Sequence, residues 1–112
     1  MNPATATQRR VEALELRIRL ERVAVTAFDH VCQPGTPGRN SVIGKRLAFV
    51  LGCVPEARRI EAVGLVRLGR HVYAKTSDVL HGRASAVNLP QVVVDEWRAV
   101  VERLEALVAA RG

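Results

Sequence analysis

The amino-acid sequence predicts an all-α fold, a four- to five-helix bundle with a long N-terminal helix. Three observations support this class. Apolar residues recur at three- and four-residue spacing over long stretches. Segments rich in Pro and Gly punctuate those stretches, and no segment alternates apolar with polar residues between turn signals. The chain has 112 residues, of which 48% are hydrophobic and 25% charged, the balance of a folded chain with one core. A single helical domain over residues 1–112 follows, with helices over about residues 7–32, 41–52, 55–81 and 90–110.

The first helix is bounded by Thr5 or Thr7 as a cap and by Gln33-Pro34-Gly35-Thr36-Pro37-Gly38 as a stop. At about 100° per residue it carries two apolar stripes. One holds Val11, Leu14, Ile18, Val25 and Cys32; the other holds Leu16, Leu20, Val23, Ala24, Ala27 and Val31. Arg17 and Glu21 separate them on one side, and Glu12, Glu15, Arg19, Arg22 and Asp29 on the other. Such a helix must bury both sides. It spans about 39 Å, longer than a chain of this size needs. The expectation is a homodimer through this helix; the alternative is that helices of the same chain cover both stripes.

The second helix starts after Asn40 or Ser41, carries Val42, Ile43, Leu47, Phe49, Val50 and Leu51, and stops at Gly52. The third starts at Pro55 and continues to Leu80 or His81, ended by Gly82. Gly64 and Gly69 inside it mark close packing or a break. Its apolar arc is Ala62, Leu65, Val66, Leu68, Val72, Tyr73, Val79 and Leu80. The fourth follows Asn88-Leu89-Pro90, with Val94, Trp97, Val101, Leu104 and Val108 as a single seam for core packing.

Charge is distributed unevenly. The formal net charge is +6, from 17 Lys plus Arg against 11 Asp plus Glu. Residues 39–83 hold nine bases (Arg39, Lys45, Arg46, Arg58, Arg59, Arg67, Arg70, Lys75 and Arg83) against three acids, so the excess lies in the middle of the chain. An anionic partner, nucleic acid above all, is the implication; a merely solvated basic face is the alternative.

Several function classes find no residues to carry them. With only Phe28, Phe49, Tyr73 and Trp97 as aromatics, there is no stacking platform for bases and no aromatic cage. No Gly-rich phosphate loop or dinucleotide fingerprint occurs. Cys32 and Cys53 do not form a disulfide framework, and His30-Val31-Cys32 lacks a second pair at zinc spacing, so no metal or cofactor is expected. No apolar run reaches bilayer length, and MNPATATQRR lacks the apolar core of a secretion signal, so a cytoplasmic protein without membrane contact is expected.

The third helix carries the chemistry. Opposite its apolar arc lie Arg67, Arg70, His71, Ser77, Asp78 and His81, with Arg67 and Arg70 within about 60° of His81 around the axis. Guanidinium groups hold a phosphate and stabilise charge developing on it. An imidazole moves a proton near neutral pH, and RNA brings its own 2′-hydroxyl nucleophile. The candidate catalytic set is therefore His81, Arg70 and Arg67; the candidate nucleic-acid contacts are Arg58, Arg59, Arg67, Arg70, Lys75 and Arg83. The alternative is an ordinary wet face of an amphipathic helix.

The stretch IGKRLAFVLGCVPEARRIEAVGLVRLGRHVYAKTSDVLHG, from Ile43 to Gly82, resembles the HEPN superfamily of helical domains, most of all its prokaryotic abortive-infection branches. The resemblance rests on a helix, a short Gly/Pro-bearing connection, and a long helix carrying Arg and ending in His-Gly. It implies a four- to five-helix bundle, commonly dimeric. In active members an Arg, four to six residues and a His form a metal-independent ribonuclease site at the dimer cleft. Counting back from His81, those places hold Thr76, Lys75 and Ala74, so Lys75 is the available cation, without the bidentate fork of Arg.

Two other functions stay open. Leu47 to Val54 has the small-residue-to-glycine spacing of a helix-turn-helix, with Arg58 and Arg59 opening a DNA-recognition helix, although Arg58 and Glu61 occupy places that should be apolar. A helical adaptor or regulator acting by protein–protein contacts needs only the two-sided first helix.

Overall fold

In a computed structural model of the chain, residues 3–32, 46–86 and 88–110 are described. The fold is an all-α bundle with a long N-terminal helix. Its α-helices are α1 (Pro3–Val31), α2 (Arg59–Leu80) and α3 (Gln91–Ala109). A 3-10 helix, Leu47–Cys53, and a 3-10 turn, Glu56–Arg58, lie between α1 and α2. Among the described residues there is no strand.

Each boundary has a local cause. α1 begins at Pro3, four residues before the expected Thr7, because proline in a first helical turn gives up no hydrogen bond. The stop expected over residues 33–38 lies outside the described residues, as does the start of the second helix at Asn40 or Ser41. That second element is not an α-helix over 47–53. Its buried side chains are Leu47, Val50 and Cys53, spaced by three, and a 3-10 helix with about three residues per turn brings that spacing onto one side. The element runs one residue past the expected stop at Gly52, to Cys53; Gly52 has no positive φ and lies against Val31, whose Cγ2 is 2.8 Å from where a Cβ would stand. α2 starts at Arg59 rather than Pro55, because Pro55 is extended and Glu56–Arg58 first make a 3-10 turn.

α2 runs unbroken through Gly69. A Cβ at Gly69 would stand 2.7 Å from Leu104 Cδ1, with Leu47 and Leu20 just beyond, so the glycine is where α2 closes on α1 and α3. α2 ends in a Schellman motif. Gly82 has φ +73°, its N–H donates to the Val79 carbonyl, and the Arg83 N–H donates to the Asp78 carbonyl at 2.8 Å.

The core joins Leu16, Leu20, Val23 and Ala24 of α1 to Leu47 and Val50, to Leu65, Val66 and Val72 of α2, and to Val94, Val101, Leu104 and Leu107 of α3. The expected α3 seam is buried throughout. Phe28 and Phe49 meet edge to face, centroids 5.2 Å apart. Leu68, placed in the apolar arc of α2 by its spacing, is instead 47% exposed. The molecule measures 47 × 29 × 17 Å. A body 17 Å thick is about two packed helices deep, given axes roughly 8–10 Å apart, so the described residues cover α1 on one side only. Leu16, Leu20, Val23, Ala24 and Ala27 are buried, while Val11, Leu14 and Ile18 stay exposed. Val31, expected with the inner stripe, is 45% exposed.

Candidate functional site

The outer face of α2 is the candidate site, and its sequence makes it so. Between Glu61 and Asp78 the helix has no carboxylate, yet it carries Arg67, Arg70, His71 and Lys75. All four are exposed. Arg67, His71 and Lys75 follow one another at four-residue intervals, which sets neighbours about 5–6 Å apart along one ridge. Arg70 neighbours Arg67 at three-residue spacing on the other flank from His71, and the ridge from Arg67 to Lys75 is about 12 Å long. Arg67, His71 and Lys75 make no ion pair among the described residues.

The remaining expected contacts are arranged differently. Arg58 donates to both Glu61 oxygens at 3.3 Å, and Arg103 approaches the same carboxylate at 3.6 Å. Hydrogen bonds from Arg58 are the leading reason that the Glu61 carboxyl titrates below its usual range. Arg83 donates to Asp78 at 3.0 Å and to Ser77 Oγ at 3.4 Å, fastening the helix end. Arg59 is exposed at the start of α2. Arg46, counted from sequence among the basic residues of the middle segment, is buried.

His81 is exposed at the C-cap of α2. Its Nδ1 lies 2.9 Å from the Ser77 carbonyl oxygen, which only accepts, so Nδ1 carries the proton of that bond and Nε2 is the free nitrogen. His81 shares the outward side of α2 with Arg67 and Arg70, but the helical rise sets it about 16 Å beyond Arg70 and about 21 Å beyond Arg67. Those separations exceed what one phosphate can bridge. Within one chain, then, Arg67, Arg70, His71 and Lys75 come together, while His81 belongs to a second cluster with Ser77, Asp78 and Arg83.

Two arrangements escaped sequence reasoning. Tyr73 turns toward α1, where Arg17 Nη2 donates to its hydroxyl at 3.0 Å and the hydroxyl donates to Glu21 at 3.3 Å. The Arg17 guanidinium also lies over the ring, 4.6 Å from its centroid. Burial is the leading cause that pushes the phenol above its ordinary range. The spacing of Arg17 and Glu21 marked them only as a polar divider; nothing in it pointed to Tyr73. Second, Arg19 grips Glu105 through two hydrogen bonds, fastening α1 to α3 and raising the guanidinium further. Beside it opens a shallow hollow of about 240 Å³ lined by Arg22, Val23, Thr26 and Val108. Cys32 and Cys53 are free thiols; Cys53 is buried. Among the described residues no three His, Cys, Asp or Glu side chains gather as metal ligands, and no helix is long and apolar enough to cross a membrane.

No family model matches the chain, and no curated protein or solved structure matches it either. What the α2 face can do is therefore argued from its chemistry: an exposed row of cations without interleaved acids attracts phosphate oxygens.

Proposed function

We propose that the protein binds the phosphate backbone of RNA in the cytoplasm through the outer face of α2. The observation that supports this most is the carboxylate-free stretch between Glu61 and Asp78, with Arg67, Arg70, His71 and Lys75 all exposed on it. The HEPN resemblance of the same stretch favours RNA over DNA. Tyr73, the one tyrosine of α2, is engaged with Arg17 and Glu21, which leaves the exposed His71 ring and the Arg67 and Arg70 guanidinium planes as stacking surfaces, and stacking of that kind is sequence-tolerant. Binding therefore reads charge rather than sequence.

The reading is a binding protein first. His81, the proposed proton carrier of a metal-independent ribonuclease, stands too far from Arg67 and Arg70 for one chain to gather a phosphate among them. The helix-turn-helix reading has less behind it: Arg58 is tied to Glu61, and the element ahead of α2 is a short 3-10 helix.

The test is fluorescence anisotropy with a single-stranded RNA over a range of salt concentrations. Replacing Arg67, Arg70 and Lys75 together by Ala is expected to lower affinity and to flatten the slope of log K against log salt by about 2, at roughly 0.7 for each phosphate that a cation no longer neutralises. Arg98→Ala, on α3, is expected to leave the slope unchanged. Equal binding by the triple variant overturns the reading.

A further inference from the structure

The outer seam of α1 is made of Val11, Leu14, Ile18 and Val25. Val11 keeps 53% of its surface exposed, Leu14 48% and Ile18 40%. Two shallow hollows run along it, one beside Val11, Leu14 and Ile18, the next beside Ile18 and Val25. Single exposed apolar side chains are ordinary; a row of them at helical spacing on the same side marks a contact surface.

The seam has an internal symmetry. Val11 and Val25 lie seven residues on either side of Ile18, about 10 Å each way. Glu15 and Arg22 lie three residues before it and four after. At about 100° per residue they fall roughly 20° apart, on the same flank of the seam. A second helix of the same sequence, laid antiparallel about a two-fold axis at Ile18, sets the partner's Ile18 against Ile18 and the partner's Val25 against Val11. The same operation sets the partner's Arg22 against Glu15, twice over. A two-fold axis parallel to the helices would instead carry the partner's Glu15 and Arg22 to the opposite flank of the seam, where neither faces its counterpart. Within the chain, Arg22 makes no ion pair among the described residues. Glu15 has only Arg19 at 3.7 Å, and Arg19 is held chiefly by Glu105.

We propose that a second copy of this chain covers the seam, packed antiparallel along α1 about a two-fold axis at Ile18, with Glu15 facing the partner's Arg22. Shape and charge both fit this occupant, because each half of the seam carries what the other half needs. The contact follows α1 for about 21 Å, which puts it at the small end of stable interfaces. Dimerisation is therefore concentration-dependent in the micromolar range. The proposal does not depend on phosphate binding by α2.

Sedimentation equilibrium of the full chain from low to high micromolar concentration is the first test. The wild type is expected to pass from monomer to dimer. Ile18→Arg is expected to stay monomeric with unchanged helical circular dichroism, since Ile18 is not a core residue. Glu15→Arg and Arg22→Glu are each expected to weaken the dimer on the order of tenfold, and the double exchange to restore it. Cross-linking decides orientation in a Cys32→Ala background that leaves the buried Cys53 in place. Ile18→Cys is expected to link to itself. Val11→Cys is expected to link to Val25→Cys in a mixture and not to itself. A monomer at every concentration, or self-linking of Val11→Cys, overturns the proposal.

Discussion

Along α1, Leu16 and Leu20 on one side have no exposed surface, while Leu14 and Ile18 on the other keep nearly half of theirs. The residue types are alike and the helix is continuous, so intrinsic preference does not separate the two sides. What separates them is the thickness of the body. Two helices fit within 17 Å, and the described residues supply no third layer over the outer side of α1. Apolar periodicity thus reports where a helix makes contacts, and is silent on which chain supplies them.

The sharpest way to break this comparison is to truncate one leucine on each side. Leu20 is fully buried and lies 3.8 Å from the Cβ position of Gly69, at the point where α1, α2 and α3 meet. Leu20→Ala is expected to destabilise the fold by about 2–5 kcal/mol in urea unfolding, the transfer loss plus an unfilled cavity. Leu14→Ala, measured at a concentration where the chain is monomeric, is expected to change stability by less than about 0.5 kcal/mol. Equal costs on the two sides would mean that the outer seam is covered by the chain itself.

The same contrast between inside and outside appears in the two glycines of α2, and there it changes sign. Gly64 has nothing within 4 Å of a Cβ position, and Gly69 has Leu104 Cδ1 at 2.7 Å. Alanine gains up to about 1 kcal/mol over glycine in a helix interior, so Gly64→Ala is expected to raise stability by that amount. At Gly69 the same gain is set against overpacking of about 1–3 kcal/mol, because the Leu104 Cδ1 methyl at 2.7 Å must shift within the buried core. Gly69→Ala is expected to be destabilising overall, by up to about 2 kcal/mol, and thermal unfolding of the two variants reads the opposite shifts directly.

How much of this was legible in the sequence depends on which forces act at each place. The spacing of Val94, Trp97, Val101, Leu104 and Val108 is a local property, and α3 buries all five. The two stripes of α1 were legible too, but which of them faces the core is decided by neighbours far along the chain. The second helix, read as α-helical on Leu47, Phe49, Val50 and Leu51, is a 3-10 helix over Leu47–Cys53 whose buried side chains recur every three residues, a tighter helix that packs against α1. At the candidate site, the charge run of α2 was legible because side-chain type alone sets it. The approach of Arg17 and Glu21 to Tyr73, across more than fifty residues, leaves no mark in local spacing.

That last contact separates the half-buried polar groups of α2 from its solvent-facing ones, and pH resolves the difference. Tyr73 is the only tyrosine in the chain, so its ionisation is read by absorbance without interference from another phenol. Burial is the leading cause that raises its pKa above the ordinary value of 10.0; the Arg17 charge opposes this and the Glu21 charge adds to it. A group whose folded pKa exceeds its unfolded one holds its proton longer in the native state. The stability it contributes is fully present below pH 10 and is lost as pH rises through the folded value. Tyr73→Phe removes that titration along with the hydrogen bonds to Arg17 and Glu21. The variant is expected to be less stable than the wild type by about 1 kcal/mol at neutral pH. Above pH 10 the gap is expected to narrow, because only the wild type must then ionise or hold a phenol in a site that disfavours its anion. A gap that stays constant from neutral to alkaline pH would show that the phenol is as well solvated as the exposed groups of α2.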